Sequence, residues 1–534
     1  MKRLPVNMPA SLLWILTLLI SLIACSAIPP RSRVPRIGPE TTTVPLEKYH
    51  SVFFVSQAAG SDQNGDGSRF RPWQSPQFAL RQLNSPDQTK RYAILVAAGT
   101  YAGETIEMRP HVDLFGGYEP TSWQRDIFRH RTVLTGQDRR RVVIGADHAR
   151  LDGFVITKGQ VRGKGAGVWC DGVSTTITHN TFTLNKTLAP IPWSPKYRHE
   201  IGHDGGAVYC ENAVAPVIAN NLFAENATEV GRGAAIAFHS RCRGRIQNNV
   251  FLANRAGLAD PMRSSDGGAV SVFEWSGPLI EGNVFLNNRA LNENDAGGLF
   301  VALWSSPTVQ DNLFIGNEST DDAGALFVGG QEHRYDRPPD ALPAPDRFHV
   351  TISNNLFIGN SNPSRNSGAL RFTMEGRGEF SNNLTAHNGG LYFQRCEATI
   401  SRNVILDNLL LIETKAGLQP CVVKDNVIWG DFDVQTEAAL SNNRVLSKQE
   451  PDFQLVEEEG LVLIAVGSCF DRARYTTALY ITGAGFRSNE LAGRAIKAGD
   501  RWGMIRSNER RTVSVWGDFS GLVELTVLPR YRKQ

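Results

Sequence analysis

Two short patterns alternate down the middle of this chain in a fixed order, and few folds can accommodate them. The first is a glycine pair followed by apolar residues: Gly205-Gly206-Ala207-Val208, Gly267-Gly268-Ala269-Val270 and Gly297-Gly298-Leu299-Phe300, with variants at Gly233, Gly324, Gly368 and Gly389. The second is Asn-x-Phe-x-x-Asn, seen as Asn180 to Asn185, Asn221 to Asn226, Asn249 to Asn254, Asn283 to Asn288, Asn312 to Asn317 and Asn355 to Asn360, with weaker copies ending at Asn388 and Asn408. The last Asn of successive copies is separated by 41, 28, 34, 29, 43, 28 and 20 residues. A constant unit with variable insertions is how a solenoid looks in sequence.

Strand-length apolar runs lie between the patterns, such as Pro216-Val217-Ile218, Pro278-Leu279-Ile280 and Pro307-Thr308-Val309. No stretch there keeps a helical apolar period over three turns. Each repeat therefore predicts a coil of short strands. Phe223, Phe251, Phe285, Phe314 and Phe357 stack inside it at the ~4.8 Å spacing of paired strands. The Asn after each strand suits a sharp corner, because it tolerates left-handed dihedrals and its amide can bond to the same amide above and below. The glycines permit the tight turn into the next strand.

These repeats resemble right-handed parallel β-helix proteins of the pectin-lyase-like superfamily. The pairing of Gly-Gly-Ala-(Val/Ile/Leu) with Phe-x-x-Asn is similar to that of the chlamydial polymorphic membrane proteins. The resemblance covers about residues 150 to 450 and implies an all-β solenoid. Upstream, Tyr92 to Tyr101, Val112 to Tyr118 and the entry segment Gly60 to Trp73 resemble opening coils, with a capping helix expected from Ser75 to Leu83. A solenoid needs such a lid.

At the N-terminus, Lys2 and Arg3 precede an apolar run from Ser11 to Ile23, as in an export signal. Leu22-Ile23-Ala24-Cys25 resembles the bacterial lipobox, which implies cleavage before Cys25 and its acylation; Ser26 resembles the sorting residue of outer-membrane lipoproteins. A plain secretory signal with an incidental Cys25 is the alternative. The expected organisation is a signal peptide over 1–24, a Pro-rich tether over 25–48, a β-helix over 49–450 and a small β module over 451–534 that caps the far end. That last module has alternating runs at Ala478 to Ile481, Trp502 to Ile505, Thr512 to Trp516 and Leu522 to Leu528. It shows no aromatic-terminated membrane strands, so the membrane is expected as a partner through the lipid, with the body at the cell surface or facing the periplasm. The net charge of +3, without a basic run interleaved with aromatics, points away from nucleic acid.

Lyase and polygalacturonase-type signatures are only partial, at Gly202-His203-Asp204 and Arg245-Ile246-Gln247. An acidic series beside the glycine turns, Asp204, Asp266, Asp295 and Asp322 with Arg232 in the intervening copy, stacks into one stripe. Three readings of it stay open. The carboxylates cap turn amides; or they bind a sugar or Ca²⁺; or Asp204, Asp266, Arg232 and His203 form a catalytic group. Asp62, Asn64 and Asp66 imitate half of an EF-hand loop, but Trp73 stands where its closing Glu belongs.

Trp275 and Trp304, with Trp169 and Tyr209 in the preceding coils, offer flat faces for sugar rings or else pack internally. Of the seven cysteines, six follow Cys25. Cys170 and Cys210 share one register in consecutive coils, within disulfide range, and Cys396 and Cys421 pair similarly. Two functions remain: a non-catalytic surface protein presenting the loops Ala189 to His203 and Gly330 to Arg347 to a polysaccharide or cell-surface ligand, and a carbohydrate-active lyase or glycosidase working beside the acidic stripe. The anchor and the absent catalytic signature favour the first.

Overall fold

A computed structural model describes residues 37–189, 203–212, 214–259, 265–330, 348–446 and 456–531. The lipobox and Cys25 lie outside these residues, as does most of both presented loops. Among the described residues, no helix is long and apolar enough to cross a membrane.

The chain enters along one flank of a right-handed parallel β-helix. Strand Ser51–Val55 pairs in parallel with Tyr92–Ala97, opening a fourteen-stranded sheet that runs the length of the body. The expected lid forms at Pro76–Gln82: Ser75 accepts from Phe78 N as the N-cap, Pro76 fills the first turn, and Ala79 and Leu80 are buried over the first coil.

Beyond the lid, each coil contributes one strand to each of three long parallel sheets of fourteen, thirteen and twelve strands; a short six-stranded sheet runs beside them. In one coil these are Val208–Glu211 in the twelve-stranded sheet, Val217–Ala219 in the fourteen-stranded sheet and Leu222–Ala224 in the thirteen-stranded sheet. Phe182, Phe223, Phe251, Phe285, Phe314 and Phe357 are in-register partners and fully buried. Their rings stack with centroids 4.5–5.2 Å apart. The aromatic spine thus follows the strand spacing itself.

The asparagines form two buried ladders flanking that spine. Asn221 Nδ2 donates to Asn249 Oδ1 at 3.0 Å and Asn226 Nδ2 to Asn254 Oδ1 at 3.0 Å, and the rule repeats coil after coil. The left-handed dihedral is not on these residues, contrary to the sequence reading. It falls on the residue before each, such as Asn220, Asn248 and Asp311 at one corner and Glu225, Ala253 and Asn287 at the other. The reason is accounting: a ladder Asn must aim its amide at the next coil, so its neighbour takes the strained turn.

The Gly205-Gly206 pair has two separate jobs. Gly205 adopts φ +69, while a Cβ on Gly206 would meet the carbonyl oxygens of Ala227 and Ala234 at 2.4 Å. The first glycine turns the chain and the second lets the neighbouring coil close in.

The C-terminal module is a closed barrel of Leu461–Asp471, Thr476–Ile481, Ala495–Ala498, Arg501–Asn508, Thr512–Trp516 and Glu524–Val527. It does not cap the far end, as the sequence reading expected; it packs on the flank. Leu222, Val250, Val284 and Ile315 on the outer face of the thirteen-stranded sheet meet Tyr475, Met504, Trp516 and Leu528 of the barrel. The cause is visible in strands such as Val250-Phe251-Leu252. Phe points in, so its apolar neighbours point out and need cover. In the last coil, meanwhile, Leu440 and Val445 stay half-exposed.

The described part of the expected tether is likewise strapped to the body, starting at this flank and continuing with Val44 and Leu46 over Ala93, Leu95 and Phe115 of the fourteen-stranded sheet. Ile37 packs into the barrel seam, Gly38 N donates to Asn248 O at 2.9 Å, and Arg125 Nη1 donates to Thr42 O at 3.0 Å.

Candidate functional site

The twelve-stranded sheet bears the glycine pairs at its strand starts. Val168, Cys170, Val208 and Cys210 face the interior core. Strict alternation then sends Trp169, Asp171, Tyr209 and Glu211 to the outer face, where Trp169 is in register with Tyr209 and Asp171 with Glu211.

Glu211 is the hub of this patch. Its Oε1 accepts from Trp169 Nε1 at 3.3 Å, and its Oε2 accepts from Lys164 Nζ at 2.5 Å and from Tyr209 OH at 3.3 Å. The Arg141 guanidinium lies 4.5 Å over the Trp169 ring and Lys164 Nζ 5.1 Å over the Tyr209 ring. Burial lowers the Arg141 pKa, and burial followed by the carboxylates of Asp204, Glu211 and Glu274 pushes the Tyr209 phenol far up, so it stays a neutral donor. Asp171 is exposed and accepts from Asn212 Nδ2, whereas Glu211 is buried and Trp169 half-buried. The result is one half-buried indole, Trp169, with an acid and two cations locked around it and the fully buried Tyr209 beneath.

The acidic stripe runs alongside, buried. Asp204 and Asp266 are each 1 % exposed. Asp204 Oδ1 accepts from Arg232 N at 2.6 Å, Asp266 Oδ1 from Asp295 N at 3.0 Å, and Asp295 Oδ1 from Asp322 N at 2.9 Å. Each carboxylate thus caps the turn of the following coil. Arg232 lies between Asp204 and Asp266 at 4.0 and 3.9 Å, and His239 Nε2 is 3.1 Å from Asp204 Oδ2, stacked between Tyr209 and Phe273. Burial alone would raise the Asp204 pKa. The close approach of His239 and the charge of Arg232 outweigh it and hold the carboxyl at about 2. His203 is half-buried at the preceding turn, and its carbonyl oxygen would lie 2.2 Å from a Cβ placed on Gly231. Asp204, Asp266, Arg232 and His203 therefore sit close together, without an open groove between the two carboxylates.

Asp295 and Asp322 join Asp321 in the one group of three acidic or ligating side chains within 4.8 Å of one another among the described residues. Arg365 reaches Asp321 at 3.1 Å and Asp322 at 3.4 Å, and Arg371 lies 3.9 Å from Asp322, so guanidinium groups supply the compensating charge that Ca²⁺ would.

The half EF-hand is used locally. Asp62 accepts from the backbone of Gln74 and Ser75 and from the Ser75 hydroxyl, the Asn64 carbonyl takes the Arg71 guanidinium, and Asp66 accepts from Ser68 N. Asp62 thus ties the entry loop to the capping helix, and the Asn64 and Asp66 oxygens brace the loop itself.

Trp275 and Trp304 both pack against the interior core, the latter edge-on to Phe348. Their φ of +57 turns them at a corner, away from the outer platform. Cys170 and Cys210 are register partners, Cys396 and Cys421 Sγ atoms are 3.9 Å apart, and all four are thiols here.

The fold defines a right-handed parallel β-helix protein, with Trp169 and charged groups on the outer side of one sheet. A family model described as "Right handed beta helix region" matches residues 141–314. Among solved structures the chain is similar to the GH136 lacto-N-biosidase from Eubacterium ramulus, at 11% identity over 74% of this chain and 67% of that one, TM-score 0.31. It is also similar to a mutant tailspike protein of E. coli bacteriophage HK620 in complex with a hexasaccharide, at 10% identity over 96% and 100% of the two chains, TM-score 0.25. These likenesses concern the coil architecture alone. No curated protein sequence matches the chain.

Proposed function

We propose that this chain is a carbohydrate-binding β-helix protein of a bacterial envelope, held at the membrane through acylated Cys25 and recognising saccharide at the half-buried Trp169 beside Glu211, with the buried Tyr209 as its support. The observation that carries the reading is the half-buried Trp169 indole, fixed by its own hydrogen bond to Glu211 and flanked by Lys164 and Arg141. With Arg141 over one face of the ring, the remaining accessible part of the indole beside fixed polar groups suits the apolar C–H surface and hydroxyls of a pyranose. The cations suit an acidic sugar.

The test is a glycan array probed with the purified residues 37–534, followed by titration of any hit. Saturable binding lost in Trp169→Ala and in Glu211→Gln supports the reading. Binding that survives both substitutions, or its absence across uronate, sialylated and neutral glycans, overturns it. For the anchor, Cys25→Ser should abolish acyl labelling and release the protein from membranes.

One observation favours a second reading, that of a glycosidase. Asp171 and Glu211 are partners on adjacent strands, so their backbones are ~4.8 Å apart. Their environments differ, one exposed and one buried, as general acid and nucleophile require. Turnover of a bound glycan abolished separately by Asp171→Asn and Glu211→Gln would establish it, and binding without turnover would exclude it.

A further inference from the structure

The patch leaves unexplained why thiols recur inside the coils. Val168–Asp171 and Val208–Glu211 are neighbouring parallel strands, with Cys170 opposite Cys210 and both side chains in the fully buried interior. Partners on adjacent strands have Cα atoms ~4.8 Å apart, inside the roughly 4.4–6.8 Å that a disulfide spans. Near the other end of the solenoid, Cys396 and Cys421 belong to successive coils, both facing the core, with Sγ atoms 3.9 Å apart.

Cys242 is close by but otherwise engaged. Its Sγ donates to the carbonyl oxygens of Cys210 at 3.2 Å and His239 at 3.0 Å, at a corner rather than in the strand register. Cys469 is exposed on the distant barrel. Geometry thus sorts the six thiols after Cys25 into two pairs and two singles.

We propose that Cys170–Cys210 and Cys396–Cys421 are covalent rungs, closed as disulfides when the chain folds in an oxidising compartment. The inference rests on the export reading for its oxidant. A disulfide donor is attacked by one thiolate of each pair, giving a mixed disulfide and one released thiol. The partner thiolate then displaces the second. Two protein thiols lose two electrons and two protons, and the donor is reduced to two thiols.

Each rung sits where a solenoid needs it. The first ties coils across the 41-residue spacing between Asn185 and Asn226, one of the two longest insertions in the repeat array. The second lies just before the last coil, whose Leu440 and Val445 are half-exposed, so fraying from that end meets a covalent stop.

The test uses the full chain, isolated from the envelope without reductant, denatured, alkylated and digested for mass spectrometry. The expected result is two linked peptide pairs, 170 with 210 and 396 with 421, and alkylated Cys242 and Cys469. A second arm refolds residues 37–534 with oxidised glutathione, so pairing is read independently of where the protein resides. Six alkylatable thiols in that arm, or Cys210 linked to Cys242, overturn the inference. Rungs that form with glutathione but are missing from envelope material would instead count against export. Thermal unfolding supplies a further readout: reductant should lower the midpoint of the refolded wild type and leave a Cys170→Val, Cys396→Ala variant, which lacks both rungs, unmoved.

Discussion

Asn221 and Asn249 lie 28 residues apart, yet the side-chain amide of the first donates at 3.0 Å to the side-chain oxygen of the second, which also accepts from Asn221 N at 2.9 Å. Asn249 passes the bond on, donating to Asn283 Oδ1 and to Ile218 O. Each rung thus satisfies a buried backbone donor that the turn would leave orphaned.

Removing one rung should therefore cost more than removing a surface bond. Asn249→Ala strands the Asn221 backbone and side-chain donors and the Ile218 carbonyl, each worth about 1–3 kcal/mol when left buried without a partner. The expected destabilisation is at least ~3 kcal/mol. Asn248→Gly, one residue earlier at φ +54, should be neutral or slightly stabilising, because glycine adopts that dihedral without strain. Urea denaturation of the two variants measures the contrast, and equal losses would contradict the ladder.

Acid should act through the Asp204–His239 pair. The Asp204 pKa is depressed to about 2 in the fold. The unfolded value is about 3.9, so the folded state binds fewer protons between the two. Its contribution is present in full above pH ~4 and disappears as pH falls toward 2. Asp204→Asn should flatten that part of the curve of melting temperature against pH and lower stability at neutral pH. An unchanged acid limb in the variant would show that the pair does not titrate this way.

The flank contact predicts a selective failure. Ile315→Asp places a charge in the seam where Trp516 and Met504 cover the thirteen-stranded sheet, while the in-register Phe314 still faces inward. The barrel should detach before the β-helix unfolds, since its own core of Leu479, Ile496, Ile505, Val513 and Leu525 is untouched. Limited proteolysis should then release the β-helix and the barrel as two folded fragments. A single cooperative loss of both parts would argue that they fold as one unit.

Much of this was legible in the chain itself. The repeat of Phe223, Phe251 and Phe285 prescribes the spine, and Ser75 before Pro76 marks the capping helix. Strands such as Val250-Phe251-Leu252 are apolar on both faces, which signals a covered outer surface, but nothing local says whether the cover comes from the end or the flank. The ladder Asn and its left-handed neighbour were exchanged because Asn suits both positions, and only the bond to the next coil separates them. At the patch, Trp169 and Tyr209 stand out as aromatics, whereas Asp171 and Glu211 do not. Their outward orientation follows once Cys170 and Cys210 are known to face inward, a step that needs the register of two strands forty residues apart.

The in-register stacking of successive coils is the central claim, and spin labels test it most directly. Arg255 and Arg289 are exposed in-register partners in the short sheet, so labels there sit one strand spacing apart, ~4.8 Å between backbones. In a Cys469→Ser background, the Arg255→Cys, Arg289→Cys protein should give a room-temperature spectrum dominated by spin exchange or strong dipolar broadening. A sum of two non-interacting single-label spectra would contradict the stacked-coil account.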